Sequence, residues 1–319
     1  MKYLIVASLL MIFYFGCSIE NQDGKTNSEN ANFVFVDSTL ITNDEFGESV
    51  KLGRALMLHT SELIGPEGNM GKYLGNKMNC SNCHQEAGTK PFAFNLMRAH
   101  QRYPQYRPRE NKVLSLADRI NNCIERPHLG KPLPYDSKEM IAFLSYFKWI
   151  NSFVQKLDSF PGEKNLKLEF PKIPADSRIG AQLYLNKCSS CHGENGEGVM
   201  HESNRFYVYP PLWGKNAYQA GSSMHRITIM ASWLKANMPH LIAKYNQPVL
   251  TDKEALDIAA FINNDSLHPR TVPIKVDYPN IKTKPFDYGI GPFADTFSLF
   301  QHKFGPFEPI IAFKRNQSN

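Results

Sequence analysis

The sequence predicts an all-α fold: two small helical modules joined by a proline-rich linker and followed by an irregular C-terminal extension. Three observations predict it. The pattern Cys-x-x-Cys-His occurs twice, at Cys80-Ser-Asn-Cys83-His84 and at Cys188-Ser-Ser-Cys191-His192. Each copy lies between two stretches whose apolar residues recur at helical spacing. Strand-type alternation is scarce, and 319 residues is the length of about two domains.

Composition narrows the class further. Hydrophobic residues make up 42% and charged residues 21%, a globular balance that excludes a disordered or collagen-like chain. Only the extreme N-terminus is apolar enough to enter a bilayer, so a polytopic membrane protein is excluded. The net charge of +6 is small and interspersed with acids. It argues against a nucleic-acid partner and suits small anions or an acidic protein.

In chain order, residues 1–17 read as a lipoprotein-type signal peptide. Lys2 is the positive region, Leu4 to Phe15 the apolar core, and Gly16-Cys17 resembles a bacterial lipoprotein cleavage site, with Tyr14 where Leu is usual. The expectation is a chain on the periplasmic side of a bacterial membrane, anchored through lipidated Cys17. Ser18 favours the outer membrane. The alternative is ordinary secretion to the soluble periplasm. Residues 18–35 form a polar tether. Residues 36–155 form the first module, with "GESVKLGRALMLHTSEL" as its lead-in helix. Asp136-Ser-Lys-Glu139 reads as a capping box that opens its closing helix, with Met140, Leu144, Phe147 and Ile150 on one face. Residues 156–172 carry Pro161 and Pro171 without apolar periodicity and read as a linker. Residues 173–270 form the second module, led by "SRIGAQLYLNK". Its closing helix opens at Thr251-Asp-Lys-Glu254 and carries Ala255, Ile258, Ala259 and Ile262 on one face. The extension, residues 271–319, is rich in Pro, Phe and Gly and is expected to wrap the modules.

Cys-x-x-C-H is the attachment pattern of a c-type haem. Two thiols on one turn reach the two vinyl groups, and the adjacent imidazole meets the iron from the same side. A four-cysteine zinc site would not need a His after each pair, and a thioredoxin-like pair would sit on a βαβ pattern. The sequence therefore predicts two covalent haem c groups, one held by Cys80, Cys83 and His84, the other by Cys188, Cys191 and His192.

Each iron needs a second ligand or keeps an open site. For the second haem the candidate is Met238 in "WLKANMPH", with "YPPLWG" between it and His192. His225 and His240 are alternatives, with Met238 then a core residue. For the first haem Cys123, on the helix "SLADRINNCIER", has two readings. It is either a buried apolar thiol or a thiolate ligand whose pKa Arg119 and Arg126, one turn either side, would depress. His128 and Met97 are the other candidates. From Arg98 to Lys131 eight Lys/Arg face three acids, a net +5 that could hold an anionic substrate or pair with haem propionates.

"LGRALMLHTSELIGPEGN", "MNCSNCHQEAGTKPF", "DRINNCIER", "GKPLP", "YPPLWG", "LKANMP" and "QHKFGPFEPI" together resemble the dihaem cytochrome c thiosulfate dehydrogenases, over residues 45–311. The resemblance implies an active-site haem ligated by His84 and Cys123 and an electron-transfer haem ligated by His192 and Met238. It implies Cys123, Arg109 and Arg119 as the catalytic and anion-binding residues. The implied reaction joins two thiosulfates into tetrathionate, in either direction, and passes two electrons to a soluble or membrane-bound acceptor cytochrome. Two positions depart from the family pattern: Pro127 stands where a Ser is common, and Asn237 where some members have a Lys. The alternative function is an electron-transfer cytochrome without substrate turnover. A dihaem peroxidase is disfavoured by Cys123.

Overall fold

Each closing helix is crossed by its lead-in helix at a glycine, and this pairing is made twice. The computed structural model describes residues 33–272 and 276–317. The signal and anchor expected around Cys17, and most of the tether, lie outside the described residues. In the first module Asp44 accepts the amide of Gly47 at 2.7 Å and opens the helix Glu45–Leu58. That helix packs against Lys138–Ser152. At the crossing, a Cβ on Gly53 would lie 2.1 Å from the carbonyl oxygen of Ala142. In the second module Ser177–Lys187 packs against Asp252–Ile262, and a Cβ on Gly180 would lie 1.9 Å from the carbonyl oxygen of Asp257. Nothing larger than hydrogen allows these backbones to approach so closely.

The two caps differ in how closely they follow the sequence. Thr251 Oγ1 accepts the amide of Glu254 at 3.2 Å, and Glu254 Oε2 accepts the amide of Thr251 at 2.9 Å, the reciprocal box expected. In the first module the cap is Ser137, one residue later than expected, accepting from Met140 at 3.1 Å. Glu139 is buried in the first turn instead of reaching back. The buried face accordingly runs through Met140, Phe143, Phe147 and Ile150, and Leu144 is half-buried beside it.

The all-α architecture is interrupted only by two small antiparallel ribbons among the described residues, Gln105–Arg107 with Lys112–Leu114 and Val199–Met200 with Tyr207–Tyr209. Two cores correspond to the two modules, one around Leu56, Phe143 and Tyr146, the other around Tyr184, Ile227 and Ile258.

The linker and the extension both pack against the modules. Phe160 belongs to the first core and Leu168 to the second, while Glu163 pairs with Arg98 at 3.0 Å and Arg102 at 2.5 Å. These contacts hold the segment against both modules. Among the described residues the extension contains the α-helices Leu299–Phe304 and Glu308–Gln317 and the short 3-10 helix Ile281–Thr283, and it buries Phe307 and Ile310. Its Asp287 is buried and accepts from Arg226 and Thr228, and its Lys303 pairs with Asp265. Its Asp277 reaches the first module, accepting from Arg126 at 2.8 Å.

The modules also join directly. Trp233 Nε1 donates to the carbonyl of Cys83 at 3.0 Å, and Asn237 donates to that of Phe92 at 3.1 Å. Cys83 and Phe94 pack against the second core.

Gly53→Ala or Gly180→Ala should cost about 1–3 kcal/mol or more, the usual penalty for overpacking a tight contact. Denaturation of the haem-loaded protein followed by circular dichroism measures it. An unchanged midpoint would mean that the helices separate without cost.

Candidate functional site

The second C-x-x-C-H lies where Ser177–Lys187 ends, with Cys188 at the junction and Ser189–His192 forming one further turn. Cys188, Cys191 and His192 open onto one largely apolar cavity. The ring of His192 is oriented by its Nδ1–H, which donates to the carbonyl of Pro210 at 2.9 Å. That carbonyl belongs to "YPPLWG", so the motif orients the histidine and leaves Nε2 free for a metal. Burial lowers the pKa of His192 and keeps the imidazole neutral, the form that ligates. Cys188, pushed up to about 11 by burial, is a free thiol.

Met238 follows the helix Ile227–Asn237 and lines the same cavity, half-buried. Of the alternatives, His225 is engaged elsewhere, with Nε2 2.9 Å from Asp265. His240 is exposed at the cavity rim. Lys235 is tied to Asp252 at 2.6 Å. Met78, Ser81 and Cys83 of the first module form another part of the wall. Two unbonded thiols, a neutral imidazole with an open nitrogen and a thioether around an apolar space fit a covalent haem.

The first C-x-x-C-H is built on a single turn, Cys80–Asn82. Asn79 and Asn82 cap it reciprocally, and the amide of Cys80 donates to the buried Thr60 hydroxyl at 2.9 Å. The Nδ1–H of His84 donates to the carbonyl of Phe94 at 2.7 Å, which turns Nε2 toward Cys123. Cys80 and Cys83 are pushed up to about 12 by burial.

Cys123 behaves oppositely. Its helix, Leu116–Glu125, is opened by a reciprocal box between Ser115 and Asp118 and anchored by Leu116, Ile120 and Ile124 in the core. Arg119, one turn earlier, donates from Nη1 to Cys123 Sγ at 3.0 Å. Burial alone would raise this thiol, but the Arg119 guanidinium, His84 and Arg126 outweigh it and hold it at about 6. Cys123 is therefore a thiolate at neutral pH, and it faces the imidazole of His84. Because the folded pKa is depressed, the stabilisation is complete above the ordinary thiol value near 9.0 and is lost as pH falls through about 6. The residues present thus fit a haem here as well.

The alternatives for this haem lie nearby. His128 is buried with Nε2 3.7 Å from Cys80 Sγ and Nδ1 without a partner, and burial holds it down at about 4. Met97 is buried in the first core. The carbonyl of Pro127 accepts from Asn76 at 2.9 Å. Among the described residues no three His, Cys, Asp or Glu side chains gather as a metal cluster, which leaves the four-cysteine zinc reading without a site.

The net +5 of the sequence is largely consumed by ion pairs. Arg98 and Arg102 pair with Glu163, and Arg126 is buried between Glu110 at 3.3 Å and Asp277 at 2.8 Å. Arg119 is on the thiolate. Arg109 donates from Nη1 to the carbonyl of Gly221 at 2.7 Å, with its Nε 3.8 Å from Asp277. Its guanidinium stands 5.6 and 5.7 Å from the ring centres of Tyr278 and Tyr288. Nothing in the sequence pointed to Gly221, Asp277, Tyr278 or Tyr288, which come from the second module and the extension.

The chain is similar to known proteins. The family model described as SoxA/TsdA, cytochrome c domain, matches residues 72–151, and the Cytochrome c model matches residues 177–266. A thiosulfate dehydrogenase of Stutzerimonas stutzeri is 33% identical over 239 residues, covering 74% of this chain and 74% of that protein. One of Allochromatium vinosum is 32% identical over 237 residues, covering 73% and 82%. The solved "as isolated" form of thiosulfate dehydrogenase (TsdBA) from Marichromatium purpuratum is 31% identical with a TM-score of 0.65. That match covers 72% of this chain and 48% of the solved one, so the chain spans about half its length. The chain is an oxidoreductase with two covalently bound haem c groups, and it belongs to the thiosulfate dehydrogenase family of dihaem c-type cytochromes.

Proposed function

We propose that this chain oxidises two thiosulfate ions to tetrathionate at the first haem site and passes the electrons out through the second. The observation that carries the proposal is the thiolate of Cys123, held at 3.0 Å by Arg119 and facing His84. In this reading His84 and Cys123 ligate the first iron, and His192 and Met238 the second. Bound haem supplies two one-electron acceptors, matching a reaction that releases two electrons. A thiolate at the first site holds its potential low and a thioether at the second raises it. Cys123 and Met238 thereby set the direction of flow.

The reaction forms one S–S bond between two S₂O₃²⁻ ions and releases two electrons without moving a proton. Two dianions repel, so cationic groups must hold them together. Arg109 and Arg119 are the arginines that the family resemblance assigns to this, and Arg126 is neutralised by Glu110 and Asp277. Cys123 would also be able to carry substrate sulfur: joining its thiolate to one thiosulfate as Cys–S–S–SO₃⁻ would give two electrons to the two haems, and a second thiosulfate would release tetrathionate and restore the thiolate. The acceptor is a soluble or membrane-bound cytochrome, whose potential decides whether the reaction also runs backward. A pure electron carrier is the second reading, favoured by Pro127, which offers no hydroxyl where the family commonly has one. Thiosulfate-dependent reduction of the purified protein, with tetrathionate as the product, separates the two.

Arg109→Gln should lower kcat/KM for thiosulfate at least tenfold while leaving both haem spectra intact. A charge-assisted contact is worth about 1.5–3 kcal/mol, or roughly 10- to 150-fold. Arg119→Gln should lower it as well, but must also shift the spectrum of the first haem, because Arg119 touches the thiolate. Turnover unchanged in both variants would remove the arginines from the mechanism.

Electron paramagnetic resonance should reveal a thiolate-type low-spin haem that disappears in Cys123→Ala. Met238→Ala should abolish the near-infrared Met-to-ferric-haem band and leave the thiolate signal in place. Persistence of either feature reassigns that ligand.

The same reading puts the chain on the periplasmic side of a bacterial membrane, anchored through Cys17 and with the outer membrane favoured. Cys17→Ser should move it from the membrane fraction to the soluble periplasm. Unchanged fractionation would leave only ordinary secretion.

A further inference from the structure

We propose that Tyr278 and Tyr288 of the C-terminal extension are positioning residues that clamp the Arg109 guanidinium for oxyanion binding, an inference that rests on the anion role of Arg109 given above.

Arg109 needs a clamp because of where it sits. It lies in the loop between the strands Gln105–Arg107 and Lys112–Leu114. Its restraints come from far along the chain. The amide of Tyr278 donates to the carbonyl of Arg109 at 2.8 Å, pinning the backbone. The Tyr278 and Tyr288 rings, 4.9 Å apart and inclined at 70°, each stand within cation–π distance of the guanidinium. Both rings are buried, at 7% and 2% exposure. Tyr288 is fixed in turn by its hydroxyl, which donates to Asp277 Oδ2 at 2.7 Å. The other oxygen of Asp277 is held by Arg126. Burial and the Asp277 carboxylate push the Tyr288 phenol up, so it remains a donor.

The neighbouring arginines are held by different chemistry. Arg126 lies between two carboxylates at 3.3 and 2.8 Å, which cancel its charge. The nearest carboxylate contact of Arg109 is longer, 3.8 Å, and its close partners are the Gly221 carbonyl, two aromatic rings and the Tyr278 side chain, to which it is hydrogen-bonded. Rings and a carbonyl restrict the guanidinium while leaving its net charge for a ligand. Fixing the rotamer before the anion arrives removes an ordering cost from binding. The expected signature is therefore weaker binding, with little change in the chemical step.

The test is a set of variants in the haem-loaded full chain. Tyr278→Leu and Tyr288→Leu should each raise KM for thiosulfate three- to tenfold, with kcat within twofold of wild type and both haem spectra unchanged. Tyr288→Phe keeps the ring but loses the bond to Asp277, and its KM should fall between those of Tyr288→Leu and the wild type. Leu also leaves a cavity beneath a buried ring, so a double-mutant cycle separates clamping from general loosening. In an Arg109→Gln background, neither Leu substitution should raise KM further. The same rise in both backgrounds, or an unchanged KM in the single variants, overturns the clamp. If the wild type does not turn over thiosulfate, titration of thiosulfate against the resonance signal of the first haem reads binding directly. A three- to tenfold weaker Kd in the Leu variants would then support the clamp while the proposed reaction fails. A wild type that neither binds nor oxidises thiosulfate overturns both.

Discussion

A thiolate inside a protein survives only beside a positive charge, and the contact between Arg119 and Cys123 is the constraint around which the first module is arranged. Burial drives the other two cysteines of that module to about 12, whereas Cys123 is held at about 6. The difference requires Arg119 and Cys123 on one helix face, four residues apart, and a helix start that does not drift. The Ser115–Asp118 box fixes that start, and Leu116, Ile120 and Ile124, buried on the adjoining face, fix the rotation of the helix. Arg126 completes the helix end, but its two acids make it chiefly a strut to the extension.

The second constraint is proximity of the modules. Part of the second haem cavity is made from the first attachment turn, through Ser81 and Cys83, and Trp233 hydrogen-bonds the carbonyl of Cys83. Phe94, whose carbonyl orients His84, packs on the second core near Trp233, with ring centres 6.5 Å apart. The loop that orients one histidine therefore rests on the helix that ends at Met238. Such a joint suits electron passage between the sites, and it makes each module part of the other's support.

Much of this was legible in the sequence where the determinants are local. C-x-x-C-H fixes three chemically defined positions within five residues. The Thr251–Glu254 box and the apolar spacing behind it depend only on residues within one helix. Errors began where two local signals competed: Asp136 and Ser137 are both good caps, and only the packing of Glu139 decided for the second. The linker looked free because proline and charge dominate it, yet Phe160 and Leu168 each found a core. The surroundings of Arg109 were not legible at all. Gly221, Tyr278 and Tyr288 have no periodicity in common with it and meet it only through the folded course of the extension.

The division of charge around Cys123 bears on Pro127. A hydroxyl at that position would contribute a neutral hydrogen bond to an oxyanion; Pro127 has neither hydroxyl nor amide hydrogen, and its carbonyl already accepts from Asn76. Next to it, His128 is neutral and pressed against Cys80. In the proposed reading, recognition at the first site falls to guanidinium groups, one bonded to the thiolate and one steadied by aromatic rings. A charged hydrogen bond is roughly twice as strong as a neutral one, so two arginines can compensate for the lost hydroxyl. Compensation of that kind selects by charge more than by shape. It ties the performance of the site to the extension, because the ring contacts of Arg109 come from residues beyond both haem modules.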